Sequence, residues 1–355
     1  MNGSIPTVFD SSTAGPPLLC VEMSGNHQGS LDSALDFVRQ AKSAGADLLK
    51  VQVYRPDTIT INSTKDDFRL ASDNDWANYG TLFNLYDKAH TPWDWIERMF
   101  AEAAVVGLPI FASPFDGTAV DFLETLRCPI YKVASPEITD LGLIERCAST
   151  GKPVVLSTGL ASIADVEAAV SVLKHHGSPF MILKCVSAYP TPIEDMNLRS
   201  IPWLRETFHC KVGLSDHTLG SEAAYAATAL GAALIEKHFR LPEDHSSVDA
   251  AFSMPLNELP MLKQTIARIH SSLGVPTLDI PDVAIPSLSG RRSLYVVSDI
   301  AAGERITAQN VRSVRPSFGL HPKHFPEVIG RRVNRPLSAG DRLAWDVIEP
   351  SEGER

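Results

Sequence analysis

Five cysteines in 355 residues, none at C-x-x-C spacing, leave little room for a disulfide framework or a cysteine-built zinc knuckle. Cys20, Cys128, Cys147, Cys185 and Cys210 are odd in number and read as reduced, mostly buried thiols of a cytoplasmic protein. On that reading the sequons at Asn2 and Asn62 carry no glycan. Lysine and arginine never gather in a block, and the formal net charge is −10, which argues against a nucleic-acid partner. No apolar run approaches the roughly 20 residues that cross a bilayer. The opening MNGSIPTVFDSSTAGPPLLC has neither the basic segment nor the apolar stretch of a secretory leader, so neither membrane nor export is expected. An anionic substrate would have to be held by a few locally placed cations. What is present, 44% hydrophobic and 21% charged residues, is ordinary for a globular protein and enough for one large domain and a small one.

From residue 18 to about 274, short apolar runs alternate with helix-period segments. The strands expected are Leu18–Ser24, Asp47–Tyr54, Pro109–Pro114, Ile130–Ser135, Pro153–Thr158, Phe180–Ser187, Val212–His217 and Ala233–Phe239. Helices are expected between and after them, from Leu31–Ala44 to Glu258–Leu273, many closed by a glycine such as Gly45 or Gly107. Eight strand–helix units with buried-type strands predict an α/β fold, a (β/α)8 TIM barrel over 1–274. A doubly wound open sheet is the alternative, and the count of parallel units favours closure. The one long connection, Arg55 to Thr91, reads as a lid or a dimer contact. A Pro/Ser/Gly-rich linker follows over 275–290, then a small β-rich domain over 291–355. That domain carries a weak repeat, A-G-E-R-I at 302–306 and A-G-D-R-L at 339–343. Its arginines, among them Arg291, Arg292, Arg312, Arg331, Arg332 and Arg335, read mostly as solvated surface.

In a barrel, reactive groups belong at the carboxyl ends of the strands. Here every end offers them: Asn26, His27 and Gln28 after the first, Lys50 and Gln52 on one face of the second, Ser113 on the third. Lys132, Ser135 and Glu137 follow the fourth, Ser157 and Thr158 the fifth, Ser187 and Tyr189 the sixth. Ser215, Asp216 and His217 close the seventh, and Glu236, Lys237 and His238 the eighth. Two lysines and several hydroxyls at one mouth suit a phosphate with a carboxylate. His217 and His238, on adjacent strands, make a partial coordination sphere for a divalent ion, or contact the substrate. Asp216 is a candidate to orient an imidazole. His27, His90, His175, His176 and His209 read as packed or hydrogen-bonded residues, and Lys237 as a stem packed against the outer helices.

The stretches EMSGNH, AKSAGADLLKVQVY, ASPFD, YKVAS, KPVVLSTG, LSDHT and IEKHF, in this order along the strand ends, resemble the sialic acid synthase family. The tail resembles that family's antifreeze-like (SAF) domain. Residues 81–100, 248–253, 291–297, 313–325 and 343–349 look like the family's pseudaminic acid branch. The resemblance implies condensation of phosphoenolpyruvate with an acetamido sugar, 2,4-diacetamido-2,4,6-trideoxy-L-altrose in that branch. It implies that Lys50, Lys132, Ser113, Ser135, Ser157, Ser187 and Ser215 hold phosphoenolpyruvate. His217 and His238 would bind a divalent metal ion, Mn2+ foremost, with Mg2+ or Co2+ as alternatives. Gln28, Gln52, Glu137, Tyr189 and Asp249 would face the sugar and the reacting centre. Arg315 would reach the sugar from the partner subunit's SAF domain, which makes a domain-swapped homodimer. Pro136 stands where the family has Gly or Phe, Ser187 where the sialate branch has Asn, and Gln28 where it has an acid; the last two weaken N-acetylmannosamine as the acceptor. Glu137, or else Asp249, would activate water. The rivals are a neuraminate or legionaminate synthase and, from another class, a Schiff-base aldolase using Lys132 or Lys50.

Overall fold

The structure, a computed structural model, describes residues 15–72 and 76–350. The stretch read for a leader begins with residues outside the described ones, as does the sequon at Asn2. The chain divides into two compact units, 1–274 and 275–355.

In the first unit eight runs form strands β1 (Leu18–Glu22), β2 (Leu48–Val53), β3 (Ile110–Pro114), β4 (Tyr131–Val133), β5 (Val154–Ser157), β6 (Phe180–Cys185), β7 (Lys211–Asp216) and β8 (Leu234–Arg240). Each pairs in parallel with the next, and β1 also pairs with β8. The sheet is therefore a closed eight-stranded barrel, and the open-sheet alternative falls. The helices are α1 (Leu31–Ser43), α2 (Pro56–Ile59), α3 (Leu82–Ala89), α4 (Trp93–Val106), α5 (Gly117–Thr125), α6 (Leu141–Ala148), α7 (Ile163–His175), α8 (Ser200–Phe208), α9 (Glu222–Ala229) and α10 (Leu259–Leu273). Local chemistry fixes their ends. Ser162 and Asp165 exchange side-chain bonds across the first turn of α7, and Gly107, left-handed at φ 69°, closes α4.

Side chains alternate along a strand, so one face of each strand packs outward and the other fills the barrel. In β2, Leu49, Val51 and Val53 are wholly buried against the surrounding elements, while Lys50 and Gln52 reach the interior cavity. The register sets Glu22 opposite both Lys50 and His238, and Ser215 opposite both Cys185 and Glu236. Polar groups from neighbouring strands thus arrive at one level. β4 stops earlier than expected because Ser135 already has helical dihedrals (φ −59°, ψ −39°) and opens the turn Pro136–Thr139. That turn carries Glu137.

In the second unit, β9 (Ser293–Val296) and β10 (Val311–Val314) pair antiparallel, and short bridges join Ile300 to Leu337 and Val333 to Ile348. Leu294, Ile306, Val311, Val333 and Leu343 are fully buried in its own small core. The sequence repeat has a structural meaning here. Gly303 and Gly340 both turn the chain with positive φ (77° and 99°), and each is followed three residues later by a buried anchor, Ile306 and Leu343.

Candidate active site

Burying two ammonium groups inside a barrel is costly unless carboxylates accompany them. Lys50 Nζ lies 2.8 Å from Glu22 and 3.5 Å from Glu236, and Lys132 Nζ lies 3.2 Å from Glu236. All four side chains are almost fully buried. Ser215 donates to Glu236 at 3.2 Å, and Lys50 donates to Ser113 Oγ at 3.4 Å. Burial would lower Lys50, but Glu22 and Glu236 more than offset it and hold the ammonium above its usual value. Burial would raise Glu236, but Lys132 and Lys50 pull it down. A Schiff-base lysine needs the opposite shift, toward a neutral amine. This floor is a set of fixed charges, suited to receiving an anion.

Above it opens a cavity of about 550 Å³. Lys50, Lys132, Ser135, Ser157, Ser215, Gln52, Glu137, Tyr189, Asp249, His217 and His238 all line it, ten of them named from strand ends and Asp249 only through the resemblance. Ser113 sits one step back, against Lys50. Two expected residues stand elsewhere. Gln28 is exposed, with its side-chain oxygen facing Ser33, and it does not line the cavity. Ser187 is half-buried behind Cys185, whose Sγ lies 4.0 Å from its Oγ. Arg315 belongs to the second unit, where it is exposed and makes no side-chain hydrogen bond or ion pair among the described residues.

Several cavity atoms lack the protein partner that buried polar groups normally have. They are Glu137 Oε2, Ser157 Oγ, Glu236 Oε2 and His238 Nδ1. Burial pushes the Glu137 carboxyl up to about 7. Asp249 is also raised by burial, but Ser24 Oγ and Gly25 N (3.2 Å) both donate to its Oδ2 and hold it in place. Gln52 joins these groups by donating to Glu22 (3.0 Å) and Ser24 (2.9 Å).

The two imidazoles have ring centroids 5.2 Å apart. His217 Nδ1 faces the carbonyl of Val186 at 2.9 Å and so carries a proton; burial would lower this imidazole, but Cys185 and that carbonyl raise it above its usual value. Burial, then His217 and the lysines, push His238 well below its usual value, so it is neutral. Two buried imidazoles, one of them neutral and with an unpartnered nitrogen, fit the donor set of a divalent cation, whose binding would displace any second proton from His217. Among the described residues no group of three His, Cys, Asp or Glu side chains is placed to hold one, so water and substrate would complete its sphere.

Asp216 does not orient an imidazole. Its Oδ1 takes Thr218 N (2.9 Å) and Thr218 Oγ1 (2.8 Å), and its Oδ2 pairs with Lys237 at 2.9 Å. It fixes the turn after β7. Lys237, buried, is held by that carboxylate and by the Thr218 carbonyl rather than by its stem alone.

Sequence reading passed over Glu22, Ser24 and Cys185. Glu22 was detectable, since it lies on the inward face of β1, whereas Ser24 lies beyond the strand in a turn with positive φ (49°). Cys185 Sγ lies 3.8 Å from His217 Nδ1; burial alone would raise the thiol, but that contact brings it down to about 7. Also passed over were the side chains of the connection 55–91, whose place in the cavity depends on tertiary packing.

A family model described as the NeuB family matches residues 37–277, and one for the SAF domain matches residues 291–349. The chain belongs to the NeuB family. A pseudaminic acid synthase of Helicobacter pylori is 41% identical over 341 residues, covering 95% of this chain and 99% of that protein. An N,N'-diacetyllegionaminic acid synthase of Legionella pneumophila is 30% identical over 337 residues, covering 93% of this chain and 94% of that protein. Among solved structures, an N-acetylneuraminic acid (sialic acid) synthetase from Leptospira borgpetersenii in complex with citrate is similar at TM-score 0.67 and 31% identity. It is matched over 77% of this chain and 90% of that one. Within the NeuB family frame, the charged floor and the imidazole pair occupy the carboxyl ends of the barrel strands, where barrel enzymes carry their chemistry.

Proposed function

We propose that this NeuB-family chain is a pseudaminic acid synthase. It condenses phosphoenolpyruvate with 2,4-diacetamido-2,4,6-trideoxy-L-altrose and water and releases phosphate. The carrying observation is the convergence, in one cavity, of two buried lysines, a row of serine hydroxyls, two buried imidazoles and a raised carboxyl. The choice of sugar rests on the 41% identity to the Helicobacter pylori synthase against 30% to the legionaminic acid synthase.

Lys50, Lys132, Ser135, Ser157 and Ser215 receive the phosphate and carboxylate of phosphoenolpyruvate, and Ser113 steadies Lys50. His217 and His238 would hold a divalent cation, Mn2+ foremost. Bound there, such an ion supplies Lewis-acid polarisation of the sugar aldehyde. C3 of phosphoenolpyruvate bonds to the aldehyde carbon as the carbonyl π pair moves onto its oxygen, which takes a proton from water, and positive charge develops at C2. Water then adds at C2, giving its proton to the unpartnered Oε2 of Glu137, whose value near 7 suits a base at neutral pH. The C2–O bond to phosphate breaks as the C2 hydroxyl gives its proton to the departing phosphate, leaving the ketone. Asp249, tied to Ser24 and Gly25, is less free to take a proton and serves to position the acceptor with Gln52 and Tyr189.

Arg315, exposed and without a side-chain hydrogen bond or ion pair among the described residues, is proposed to complete the site of a partner subunit in a homodimer. The test of the whole reading is phosphate release from phosphoenolpyruvate and Mn2+ with each candidate sugar in turn. Turnover that survives exhaustive chelation would sink the metal part of it.

A further inference from the structure

The cavity has two chemically different ends. Its floor carries Lys50, Lys132 and Glu236. Its upper wall comes from the connection after β2, through Ile59, Leu70, Trp76, Leu82, Leu85 and Ala89. Tyr86 adds a phenol, and among the described residues the connection brings no charged side chain to the cavity. Leu85 is buried and anchors α3, but Ile59, Leu70 and Leu82 stay only half-buried with the cavity in front of them. The wall is held in place. Trp76 donates its indole N–H to Val248 O at 3.1 Å, and its ring lies 5.8 Å from Tyr189 and 6.3 Å from Phe252. The connection is thereby tied to the loop that carries Asp249.

The phosphate and carboxylate of phosphoenolpyruvate belong on the cationic floor. The acceptor's aldehyde must meet it there, so the far end of the sugar chain points to the wall. A hydroxyl pressed against leucine and isoleucine gives up water without a replacement partner, whereas a methyl group gains from the same burial. An acetamido group is no better placed, since its N–H and C=O both need partners that aliphatic side chains lack. We infer that the wall formed by Ile59, Leu70, Leu82 and Leu85 is the subsite for a deoxygenated, methyl-bearing end of the acceptor, with Leu70 and Leu82 setting the preference. This rests on the synthase reading of the cavity.

The test uses the full-length protein with Mn2+, phosphoenolpyruvate and a matched pair of acceptors. One is 2,4-diacetamido-2,4,6-trideoxy-L-altrose, and the other is the same sugar with a hydroxyl on C6. Wild type should favour the deoxy sugar in kcat/KM by about 10- to 100-fold, the range an apolar pocket gives against one added hydroxyl. Leu70→Asn and Leu82→Gln should each collapse or invert that ratio, while Leu82→Met keeps it. The KM for phosphoenolpyruvate, read in the same assays, should stay within about twofold, which shows that the floor is intact. If wild type favours the deoxy sugar but both polar variants lose the two acceptors in equal proportion, the wall does not select and the inference falls alone. If wild type turns over only the hydroxylated sugar, or neither, the synthase reading and the inference fall together.

Discussion

Glu137 and Lys132 separate chemistry from binding at the scale of single side chains. Glu137 sits near 7 because burial penalises its charge, and as a base it works only when ionised. The rate of turnover should therefore rise with pH through about 7, and Glu137→Gln should lose at least about 100-fold in kcat with little change in either KM. Stability carries the opposite sign. A carboxyl whose folded value is raised contributes fully below its unfolded value and loses that contribution as pH rises through about 7. Thermal melting should find Glu137→Gln no more stable than wild type below pH 4.5 and more stable above pH 7. Lys132→Met leaves Glu236 short of a counter-charge, which for a broken buried pair costs about 3 kcal/mol or more. It should lower the melting temperature and raise the KM for phosphoenolpyruvate by more than about tenfold. Adding Glu236→Gln should restore the melting temperature and not the affinity. The lysines were legible in the sequence because they interrupt apolar strands at inward positions. Their neutralisation was not, because Glu22 and Glu236 come from strands far away in the chain that meet only when β1 closes on β8.

Between β5 and α7 the chain passes so close to its neighbours that only glycine fits. Gly159 N donates to Ser135 Oγ at 2.9 Å, and a Cβ there would collide with Ser187 Oγ and lie 2.9 Å from Ser135 Oγ. Gly159→Ala should push Ser135 off the cavity and raise the KM for phosphoenolpyruvate about tenfold, with kcat less affected. An unchanged KM would mean that Ser135 does not touch that substrate. The barrel elements themselves were readable, since strands buried on both faces leave near-continuous apolar runs and glycine marks helix ends. The connection 55–91 was readable only as unusually long. Among the described residues its α-helices are short, and ring contacts and an indole hydrogen bond, which leave no periodic trace, tie it to the loop that carries Asp249.

At the scale of the whole chain, two units of different texture are joined in one polypeptide. The small unit carries Arg315, a guanidinium suited by its planar fork to an amide carbonyl of an acetamido sugar. Arg315→Ala should raise the KM for the sugar and spare that for phosphoenolpyruvate. Mixed with Glu137→Gln subunits it should regain activity that neither parent shows, because a site shared between subunits leaves one intact copy in each heterodimer; no gain would place each Arg315 at its own barrel or at none. The composition of the small unit, rich in surface arginine, does not by itself announce such a role. Arg315 stood out through the resemblance and its setting in SVRPSFG, and the structure adds that it is exposed, with no side-chain hydrogen bond or ion pair among the described residues. The central claim is the reaction itself, and initial rates of phosphate release decide it most directly. With phosphoenolpyruvate and Mn2+, 2,4-diacetamido-2,4,6-trideoxy-L-altrose should give the highest kcat/KM, ahead of the legionaminate precursor and N-acetylmannosamine. Equal or faster turnover of either competitor, or release of phosphate that needs no sugar, would contradict the account.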